Sequence, residues 1–323
     1  MPLSGIGEPL LLAASGHAAI LIDKDEDRGV ESLFEHIVHE ANVPLSRITT
    51  MSVGGPCRYY VVPKSVEDIR FVTAICERLG WKLLIIGNGS NVLAGDEGFD
   101  GVVMHVGKGL KEYGLQDGEL YAEAGVALPR LAYSMANEGI AGFDFMAGIP
   151  GSVGGGLVMN AGCLGKEIGD VVSSVTHVSD TGEVMTSSAE ELQFSFRRSW
   201  FLDRRHIIVS ARFRAEPATA PAQVMEATKR AADIRKGKFP INVKTVGSTF
   251  KSPPEGPHPG KLIEEVGLKG FVIGGAQIST VHANWIINQG GATASDVKRL
   301  IELMQTTVAK QLGIQMEPEV LFV

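Results

Sequence analysis

Two glycine clusters are the part of the sequence best suited to bind a large ligand. The stretch from Gly142 to Gly165 has eight glycines among its 24 residues, interleaved with large apolar side chains such as Phe145 and Leu157. Because glycine lacks a Cβ and costs backbone entropy on folding, so many together predict tight bends or a close approach of the backbone to something large. Tight turns in an ordinary sheet are the alternative interpretation, and the apolar residues disfavour a flexible linker.

The second cluster is the loop from Gly87 to Asn91, with the sequence Gly-Asn-Gly-Ser-Asn. It follows an apolar run, Leu83 to Ile86, that is typical of a buried strand. A loop of this composition after a strand offers several backbone N–H groups to an anion. The spacing differs from the Gly-x-Gly-x-x-Gly dinucleotide fingerprint, and no Gly-Lys-Ser/Thr of a P-loop follows. We therefore expect any nucleotide cofactor to be held by a fold other than the Rossmann fold.

Composition and charge exclude several classes of protein. The chain has 323 residues and a formal net charge of −7, which argues against a nucleic-acid partner. Three cysteines, Cys57, Cys76 and Cys163, lack metal-ligand spacing, so we predict no metal site and a reducing compartment, the cytoplasm. Apolar residues between 10 and 22 are interrupted and follow no Lys or Arg, so we predict neither a signal peptide nor a membrane span.

Helix and strand patterns are mixed along the chain, which predicts an α+β or α/β fold. The helix at 66–79 has Ser65 as its predicted cap and Gly80 beyond its end. The helix at 296–312 has Ser295 as its predicted cap. The other predicted helices are 31–42, 128–137, 222–236 and 261–266, and the predicted strands are 59–62, 82–86, 101–106, 120–124, 171–178 and 206–214. The Ala/Pro-rich segment from Ala215 to Pro221 is the predicted domain boundary.

Ten short motifs resemble, in order, those of the UDP-N-acetylenolpyruvoylglucosamine reductase family, flavoenzymes of peptidoglycan precursor synthesis. Most of these motifs are weak signals individually, and their common order gives the resemblance its weight. They occupy residues 50–55, 87–93, 122–125, 148–155, 159–162, 196–199, 247–251, 267–270, 282–284 and 317–320.

The resemblance implies an α+β fold, with an FAD-binding domain of the vanillyl-alcohol-oxidase (PCMH) type, made of two subdomains, and a C-terminal α+β substrate-binding domain. Residues 1–30 would be an N-terminal extension, 31–216 the FAD-binding domain with subdomains of about 31–106 and 107–216, and 217–323 the substrate domain. The short interval between Arg197 and Ser248 resembles the family branch that lacks an extra substrate-covering loop.

The implied activity is the reduction of the enolpyruvyl ether of UDP-N-acetylglucosamine to UDP-N-acetylmuramate, with noncovalent FAD as cofactor and NADPH as reductant. The motifs place catalytic roles on Arg197, Ser248 and Glu319. Arg197 can bind a carboxylate through two N–H bonds, and Ser248 would give a proton to the carbanion. Glu319 would donate a hydrogen bond from a carboxyl kept protonated by burial. Glu317 is a rival, since residues two apart share a face of a strand, and the family match alone selects Glu319.

The resemblance also implies a set of binding residues. Lys251 and Lys269 match substrate contacts. Thr49, Phe196 and Ser252 depart from the family's usual Asn, Tyr and Asn. The implied cofactor-binding residues are Gly54, Gly87, Gly89, Ser90, Asn91, Gly125, Ile149, Gly151, Ser152, Gly154 and Asn160.

Two other functions compete with this one. An FAD-dependent oxidase of the same fold would oxidise an alcohol with O2 and would often carry flavin covalently on His or Cys, but the eight histidines form no such motif. A catalytically dead nucleotide-binding scaffold would have no need of Arg197, Ser248 and Glu319 together.

Overall fold

The computed structural model describes residues 34–217, 220–240, 242–253 and 255–323. The predicted extension 1–30 lies outside the described residues, as do the first three residues of the helix predicted at 31–42. None of the helices in the described ranges combines the length and the apolarity needed to cross a bilayer.

Seven helices form within the described residues. They are α1 Val66–Leu79, α2 Val106–Gly109, α3 Leu128–Asn137, α4 Val153–Val158, α5 Pro221–Lys238, α6 Pro259–Glu265 and α7 Ala294–Leu312. The predicted cap of α1 is confirmed, since the Ser65 hydroxyl accepts from the N–H of Asp68 and Gly80 closes the helix with φ +67°. The predicted cap of α7 is wrong. Thr293 caps this helix and shares a capping box with Asp296, so the helix begins two residues earlier than predicted.

The strands range from two to eight residues in length. The six strands predicted from the sequence are confirmed, with ends moved by at most three residues. In chain order the strands are β1 Val38–Pro44, β2 Pro56–Val62, β3 Lys82–Ile86, β4 Val92–Leu93, β5 Phe99–His105, β6 Tyr113–Gln116, β7 Glu119–Glu123, β8 Ile140–Ala141, β9 Gly162–Cys163, β10 Lys166–Glu167, β11 Val172–Val178, β12 Val184–Ser188, β13 Ile207–Arg214, β14 Glu216–Pro217, β15 Lys244–Ser248, β16 Val272–Ile273, β17 Ala276–Ile278, β18 Trp285–Asn288 and β19 Leu321–Phe322.

The first sheet has the order β1-β2-β5-β3, antiparallel at β1–β2 and parallel elsewhere. The helix predicted at 31–42 is wrong from Val38 onward, because this segment pairs with β2 from Val38↔Val62 to Pro44↔Pro56. Six residues of β1 pair with residues of β2, and this pairing outweighs the weak helical spacing of the apolar residues. The apolar run of β3 is not fully buried as predicted. It forms the edge of the sheet, and Ile85 is 36% exposed.

The second sheet is antiparallel throughout, in the order β12-β11-β13-β7-β6. One hydrophobic core joins the two sheets, since it includes Val61 and Ile69 from the first unit and Leu120 and Val175 from the second. The two sheets bury their apolar surfaces against each other, and this packing fixes their relative position.

The C-terminal unit is a third sheet, β15-β18-β17-β16, covered by α7 and α6. Its core, around Ile286, Leu300 and Met304, also takes in Met51 and Leu93 from the first unit. Strand β19 leaves this unit and pairs in parallel with β4, directly after the Gly87–Asn91 loop. The C-terminal unit and the glycine loop are thus joined by both apolar contacts and backbone hydrogen bonds.

Helix α5 lies after the predicted boundary but packs on the first part of the chain. It contacts α3, β8 and the 3-10 turn Asp144–Gly148, and its Ala232 belongs to the core shared by the first two sheets. The Ala/Pro-rich composition of residues 215–221 therefore marks a connection on the surface of the first domain.

A carboxylate from the first domain binds the N-terminus of α7. Asp96 accepts hydrogen bonds from the backbone N–H groups of Ala294 (2.7 Å) and Ser295 (2.9 Å), and from the Ser295 hydroxyl (2.7 Å). Burial opposes ionisation of Asp96, but the hydrogen bonds from Ser295 and Ala294 outweigh it and hold the pKa of this carboxyl below its usual value. The helix dipole favours a negative charge at the same place.

We predict that Asp96→Ala lowers the stability of the protein at pH 7 by about 0.5–2 kcal/mol, the typical effect of losing a helix cap. Because the folded-state pKa is lowered, this contribution is present above the ordinary carboxyl pKa and is lost as the pH falls through the folded value. Urea unfolding at pH 7 and at about pH 3 measures the difference. The control is Asp100→Ala, which removes an exposed pair with Arg58 and should change little. A loss of stability in Asp96→Ala that is equally large at low pH would show that the ionised Asp96 carboxylate is not the source of the stabilisation.

Candidate active site

The two glycine clusters meet in space. A Cβ added to Gly87 would lie 2.5 Å from the Ser152 hydroxyl oxygen and 3.7 Å from the Gly155 nitrogen. Gly87 follows β3, and Ser152 caps α4 by accepting from the N–H of Gly155. Gly87 and Ser152 are 65 residues apart in the sequence, so two distant segments form neighbouring walls of one candidate site.

The first wall presents unpaired backbone donors. The N–H groups of Asn88, Gly89 and Ser90 have no acceptor in the described part of the chain, although Gly89 is buried and its two neighbours are partly buried. Buried donors are normally satisfied, so these groups fit an anionic ligand such as a pyrophosphate. Asn91 faces elsewhere, since its side chain donates to the carbonyl of Glu319 at 3.0 Å.

Several of the predicted cofactor glycines are required by the fold itself. Gly54 and Gly89 have φ of +114° and +63°, and a Cβ on Gly89 would lie 2.3 Å from the carbonyl oxygen of Ile48. A Cβ on Gly125 would lie 2.3 Å from the carbonyl oxygen of Leu110. These glycines allow the segments that form the site to approach each other.

Gly151 and Gly155 differ from these. Neither has a positive φ, and a Cβ on either would make only ordinary contacts, with the nearest atoms at 3.6 Å. Gly154 is intermediate, with Ala124 at 3.0 Å. Gly155 lies on α4 and is exposed, so the fold itself would tolerate a helix-forming residue there. Neither backbone conformation nor packing within the protein requires glycine at position 155. We infer that glycine leaves space there for a bound group.

Asn160 is buried and its side chain is fully engaged with the protein. Its amide nitrogen donates to Glu167 at 2.7 Å and to the carbonyl of Ser195 at 2.9 Å, and its oxygen accepts from the N–H of Gly169. A cofactor contact for this residue stays a prediction. In the structure its side chain fixes the start of the turn that carries Arg197.

That turn spans residues 195–198 and is closed by two backbone hydrogen bonds between Ser195 and Arg198. Arg197 has φ +54°, in the left-handed region that non-glycine residues rarely adopt. Such strain persists only where surrounding contacts hold it, and it turns the Arg197 side chain away from the direction an extended strand would give it. The neighbouring Phe196 is 40% exposed.

Arg197 and Glu319 form the central pair of the candidate site. The Arg197 Nε lies 3.2 Å from Oε1 of Glu319, and their side chains are 22% and 17% exposed. The Nε–H is nevertheless buried without a well-aligned acceptor among the described residues. A half-buried guanidinium whose Nε–H is unused, beside a carboxyl, is suited to bind a carboxylate ligand.

The structure separates Glu319 from its rival Glu317. Residues 317–319 run antiparallel to residues 249–251, with the N–H of Glu319 donating to the carbonyl of Thr249. The side chain of Glu317 is 71% exposed and pairs with Lys251 at the surface. Burial raises the pKa of Glu319, and the cations Arg197, Lys251 and Arg235 only partly offset this effect. A carboxyl with a raised pKa can retain a proton and donate a hydrogen bond.

Ser248 ends β15, next to Thr249, and pairs with Trp285 of β18 across a bulge that includes Gly247 with φ +81°. Its hydroxyl has no hydrogen-bond partner among the residues that the structure describes. The hydroxyl of Thr249 is fully buried instead. Ser248 is therefore the member of this pair that is available to a ligand.

Arg235 was not predicted from the sequence and belongs to this neighbourhood. It lies on α5, with its guanidinium carbon 4.8 Å from the centre of the Phe239 ring and 5.9 Å from that of Trp285. It interacts electrostatically with Arg197, Glu319 and Cys163. No pattern in the sequence pointed to it, because a basic residue in the last turn of a helix is common at a solvated helix end.

The two predicted substrate lysines occupy different places. Lys251 lies by Glu317 and influences Glu319. Lys269 pairs with Glu264 at 2.9 Å, and Glu264 lines an open cavity of about 490 Å³ in the C-terminal unit. His258 and His282 also line this cavity, and His258 is hydrogen-bonded to the hydroxyl of Ser252 at 2.8 Å. The structure does not bring Lys269 to the Arg197–Glu319 pair.

Comparison with known proteins gives matches over most of the chain. Residues 57–188 match a family described as FAD binding domain, and residues 239–323 match one described as UDP-N-acetylenolpyruvoylglucosamine reductase, C-terminal domain. A UDP-N-acetylenolpyruvoylglucosamine reductase of Listeria monocytogenes is 38% identical over 294 residues, which are 90% of this chain and 97% of the relative. One from Syntrophomonas wolfei is 37% identical over 282 residues, 86% of this chain and 93% of the relative.

A solved structure gives the same result. The crystal structure of UDP-N-acetylenolpyruvylglucosamine reductase from Thermus caldophilus superposes with a TM-score of 0.74 and 31% identity, covering 88% of this chain and 98% of that protein. Together with the FAD-binding match, it confirms the predicted fold class, an α+β FAD-binding domain of the vanillyl-alcohol-oxidase type followed by a C-terminal α+β domain.

We predict that Gly155→Ala weakens FAD binding by about tenfold or more, because its Cβ would enter the space between the two glycine walls. The apoprotein should be as stable as wild type or more so by up to about 1 kcal/mol, since alanine favours helix. Fluorescence titration of the apoprotein with FAD and urea unfolding measure the two effects. Gly237→Ala, on α5 and equally free of contacts, is the matched control. Wild-type FAD affinity in the Gly155 variant would show that the cofactor does not approach α4 here.

Proposed function

The chain belongs to the UDP-N-acetylenolpyruvoylglucosamine reductase family, and we propose that Arg197, Ser248 and Glu319 are the residues with which it carries out that family's reaction. It reduces the enolpyruvyl ether of UDP-N-acetylglucosamine to UDP-N-acetylmuramate, a step of peptidoglycan precursor synthesis, with FAD as cofactor and NADPH as reductant. The observation that carries the assignment of residues is the half-buried Arg197–Glu319 pair with its unused Nε–H.

When bound, FAD would supply the hydride-transfer chemistry between NADPH and the terminal carbon of the enolpyruvyl double bond. The backbone N–H groups of Asn88 to Ser90 would hold its pyrophosphate. Gly151, Ser152, Gly154 and Gly155 would line the opposite wall. The described residues that frame this space fit such a group, since unpaired donors and open glycine positions face the junction of the two clusters.

Arg197 binds the substrate carboxylate in this proposal. Negative charge builds on that carboxylate as the double bond is reduced, and a fixed, permanently charged guanidinium stabilises it. The strained turn at residues 195–198 and the Asn160 hydrogen bond to Ser195 hold Arg197 in place before the substrate arrives. Preorganisation of this kind avoids reorientation of the group during the reaction.

Glu319 donates a hydrogen bond to the same developing charge. An ionised Glu319 would repel the substrate carboxylate, so its raised pKa favours the form that the reaction needs. Arg235 adds a further positive charge next to this pair. Two guanidinium groups near one carboxyl leave excess positive charge for an anionic substrate.

Ser248 gives the proton to the carbon that bears the carboxylate. A hydroxyl is a weak acid, but a carbanion next to a carboxylate is a strong base, so a neutral serine can serve. The Ser248 hydroxyl has no hydrogen-bond partner among the described residues. Trp285 pairs with Ser248 in the sheet and lies against the guanidinium of Arg235, which in turn interacts electrostatically with Arg197 and Glu319.

The nucleotide part of the substrate would bind in the C-terminal unit. Lys251 lies next to Glu319, and Lys269 lies next to the cavity lined by His258 and Glu264. We assign Lys269 to the diphosphate, because a lysine at a cavity rim can exchange its surface partner Glu264 for phosphate oxygens.

Domain roles and location complete the proposal. We place an FAD-binding domain up to Lys238 and a substrate domain after it, rather than dividing the chain at 217, because α5 packs on the first domain.

The three free cysteines support a reducing compartment, the cytoplasm. A net charge of −7 supports small molecules rather than nucleic acid as partners.

Arg197→Lys tests the central assignment, because lysine keeps the charge but loses the planar pair of donors. Wild-type protein should oxidise NADPH in sustained turnover only when the enolpyruvyl UDP-sugar is present. The variant should consume NADPH in a single turnover at a near-normal rate but react with the enolpyruvyl substrate about 10²-fold more slowly or worse. Stopped-flow flavin absorbance follows each half-reaction separately. Equal slowing of both half-reactions would assign Arg197 a structural role.

Ser248→Ala should bind FAD and react with NADPH normally, but its reaction with the enolpyruvyl substrate should slow by about 10²–10⁴-fold, the usual effect of general acid catalysis. Ser248→Cys should recover part of this rate because a thiol can also give a proton. The same stopped-flow measurement applies. An alanine variant that reacts within about tenfold of wild type would exclude Ser248 as the proton donor, and Thr249 or a water molecule would take its place.

A further inference from the structure

The side chain of Arg235 lies in a slot between the glycine stretch and two aromatic rings. A Cβ added to Gly148 would lie 2.5 Å from Cδ, 3.0 Å from Cβ and 3.3 Å from Cγ of Arg235, which are the three nearest atoms. On the other side, the guanidinium carbon lies 4.8 Å from the centre of the Phe239 ring and 5.9 Å from that of Trp285. Gly148 has no positive φ, so the room it leaves for the Arg235 stem is the reason for glycine at this position.

The two rings are fixed by the backbone and by each other. Phe239 follows the last residue of α5, and its N–H donates to the carbonyl of Arg235 at 3.1 Å, so the two residues lie one turn apart on one face. The Phe239 ring stacks on Trp285, with ring centres 5.1 Å apart and planes at 26°. Trp285 is 4% exposed, and its indole N–H has no acceptor among the described residues. The indole therefore contributes the face of its ring to the slot.

Aromatic rings hold a guanidinium without neutralising its charge. Arg235 forms no ion pair with a carboxylate in the part of the chain that the structure describes. The faces of Phe239 and Trp285 attract the cation through the ring quadrupole. A carboxylate in their place would occupy N–H donors and cancel the charge, whereas a ring face leaves both for an anionic ligand.

The aromatic side of the slot faces the same way as the proposed proton donor. Trp285 of β18 pairs with Ser248 of β15, and residues opposite each other in an antiparallel pair project from the same face of the sheet. The next residue, Ile286, belongs to the core of the C-terminal unit. Because successive side chains of a strand alternate, Trp285 and Ser248 face away from that core, toward Arg235 on α5.

The glycine side of the slot adjoins Arg197. Gly148 ends a 3-10 turn that contacts β9, and in β9 the carbonyl of Gly162 accepts a hydrogen bond from the Arg197 guanidinium at 3.4 Å. Arg235 therefore lies between the segment that contacts Arg197 and the strand that carries the proposed proton donor. Its electrostatic interaction with Arg197 and Glu319 agrees with this position.

We propose that Gly148, Phe239 and Trp285 are positioning residues for Arg235, and that the slot they form presents its guanidinium, together with Arg197, to the carboxylate of the enolpyruvyl substrate. This inference rests on the proposed function and adds to it residues that act through Arg235. A guanidinium that is fixed before the substrate arrives loses little further side-chain entropy on binding, and it needs no reorientation as charge develops.

Two UDP-sugars separate the carboxylate from the rest of the ligand. UDP-N-acetylmuramate carries it, and UDP-N-acetylglucosamine lacks it. Phe239→Leu removes the ring face but keeps an apolar side chain, and Gly148→Ala displaces the Arg235 stem from the other side. We expect each variant to bind UDP-N-acetylmuramate about tenfold more weakly and UDP-N-acetylglucosamine within about twofold of wild type. Isothermal titration of the FAD-loaded protein measures both affinities.

Phe71→Leu is the matched control. Phe71 is a partly buried aromatic residue of α1 that packs on the ring of His36, outside the candidate site. The same exchange of side chains at this position should leave the affinity for both UDP-sugars at the wild-type value.

A second measurement tests whether the slot acts through the guanidinium. Arg235→Met keeps an unbranched apolar stem between Gly148 and the rings and removes the charge, so this variant should fold. Stopped-flow absorbance gives the rate at which each NADPH-reduced variant reacts with the enolpyruvyl substrate. Phe239→Leu should slow this reaction about tenfold in the wild-type background and by less than about twofold in the Arg235→Met background. The same factor in both backgrounds would overturn the proposal, because a purely structural phenylalanine does not act through the guanidinium.

Trp285 is tested by a conservative and a non-conservative exchange. Trp285→Phe keeps a ring face and should bind UDP-N-acetylmuramate within about threefold of wild type, whereas Trp285→Leu should lose about tenfold. Equal losses in the two variants would remove Trp285 from the slot.

Equal weakening of both UDP-sugars in Phe239→Leu and Gly148→Ala would overturn the assignment of Arg235 to the carboxylate. Wild-type affinity for UDP-N-acetylmuramate in both variants would overturn it as well. Should Phe239→Leu fail to fold, Gly148→Ala takes its place in both experiments. A wild-type protein that does not oxidise NADPH in sustained turnover with the enolpyruvyl UDP-sugar would instead refute the proposed function.

Discussion

Backbone pairing of residues 317–323 with two separate parts of the chain is the constraint on which the site depends. On one side, the N–H of Lys251 donates to Glu317 and the N–H of Glu319 donates to Thr249. On the other side, Asn91 binds the carbonyl of Glu319, and β19 runs parallel to β4. Glu319 is thus fixed at once to the strand that carries Ser248 and to the loop that faces the cofactor. Backbone hydrogen bonds hold residues 317–323 in place whatever their side chains are. The side chains of this segment are therefore free to act in catalysis.

The electrostatics of the site follow from this placement. A carboxyl held in a largely buried position by its backbone cannot move to solvent, so its pKa rises, and Arg197, Arg235 and Lys251 limit that rise. The arrangement is not a simple ion pair, because the Nε–H of Arg197 is poorly aligned to Glu319 and stays unsatisfied within the described structure. Burying charge without full compensation costs stability. An anionic substrate that completes these contacts converts that cost into binding energy.

Local chemistry in the sequence predicted several helices and six of the nineteen strands that the described residues form, and non-local contacts explain where it failed. Caps and apolar spacing predicted both ends of α1 and of α3 correctly, because Ser65, Gly80 and a first-turn proline each act within one turn of the helix. The segment of β1 was assigned to a helix because its partner β2 cannot be seen in a local window. The family motifs supplied Arg197, Ser248 and Glu319 as candidates, whereas Arg235 was missed, since it acts through residues distant in sequence and lies in no distinctive pattern. The family match implied a Glu319 kept protonated by burial, and the structure adds the observation behind it, a side chain only 17% exposed whose pKa is raised.

The Thr50 segment has a thermodynamic consequence for the two ligands. Thr50 bonds Gly89 through its N–H, and its hydroxyl donates to the Thr245 carbonyl of β15 at 2.6 Å, while Asn288 of β18 donates to the carbonyl of Met51. The Gly87–Asn91 loop and the C-terminal unit therefore share one short stretch of backbone. In the proposed function, a sugar nucleotide that shifts this stretch changes the free energy of flavin binding, and the flavin then changes the affinity for the sugar nucleotide by the same factor, because coupling between binding sites is reciprocal.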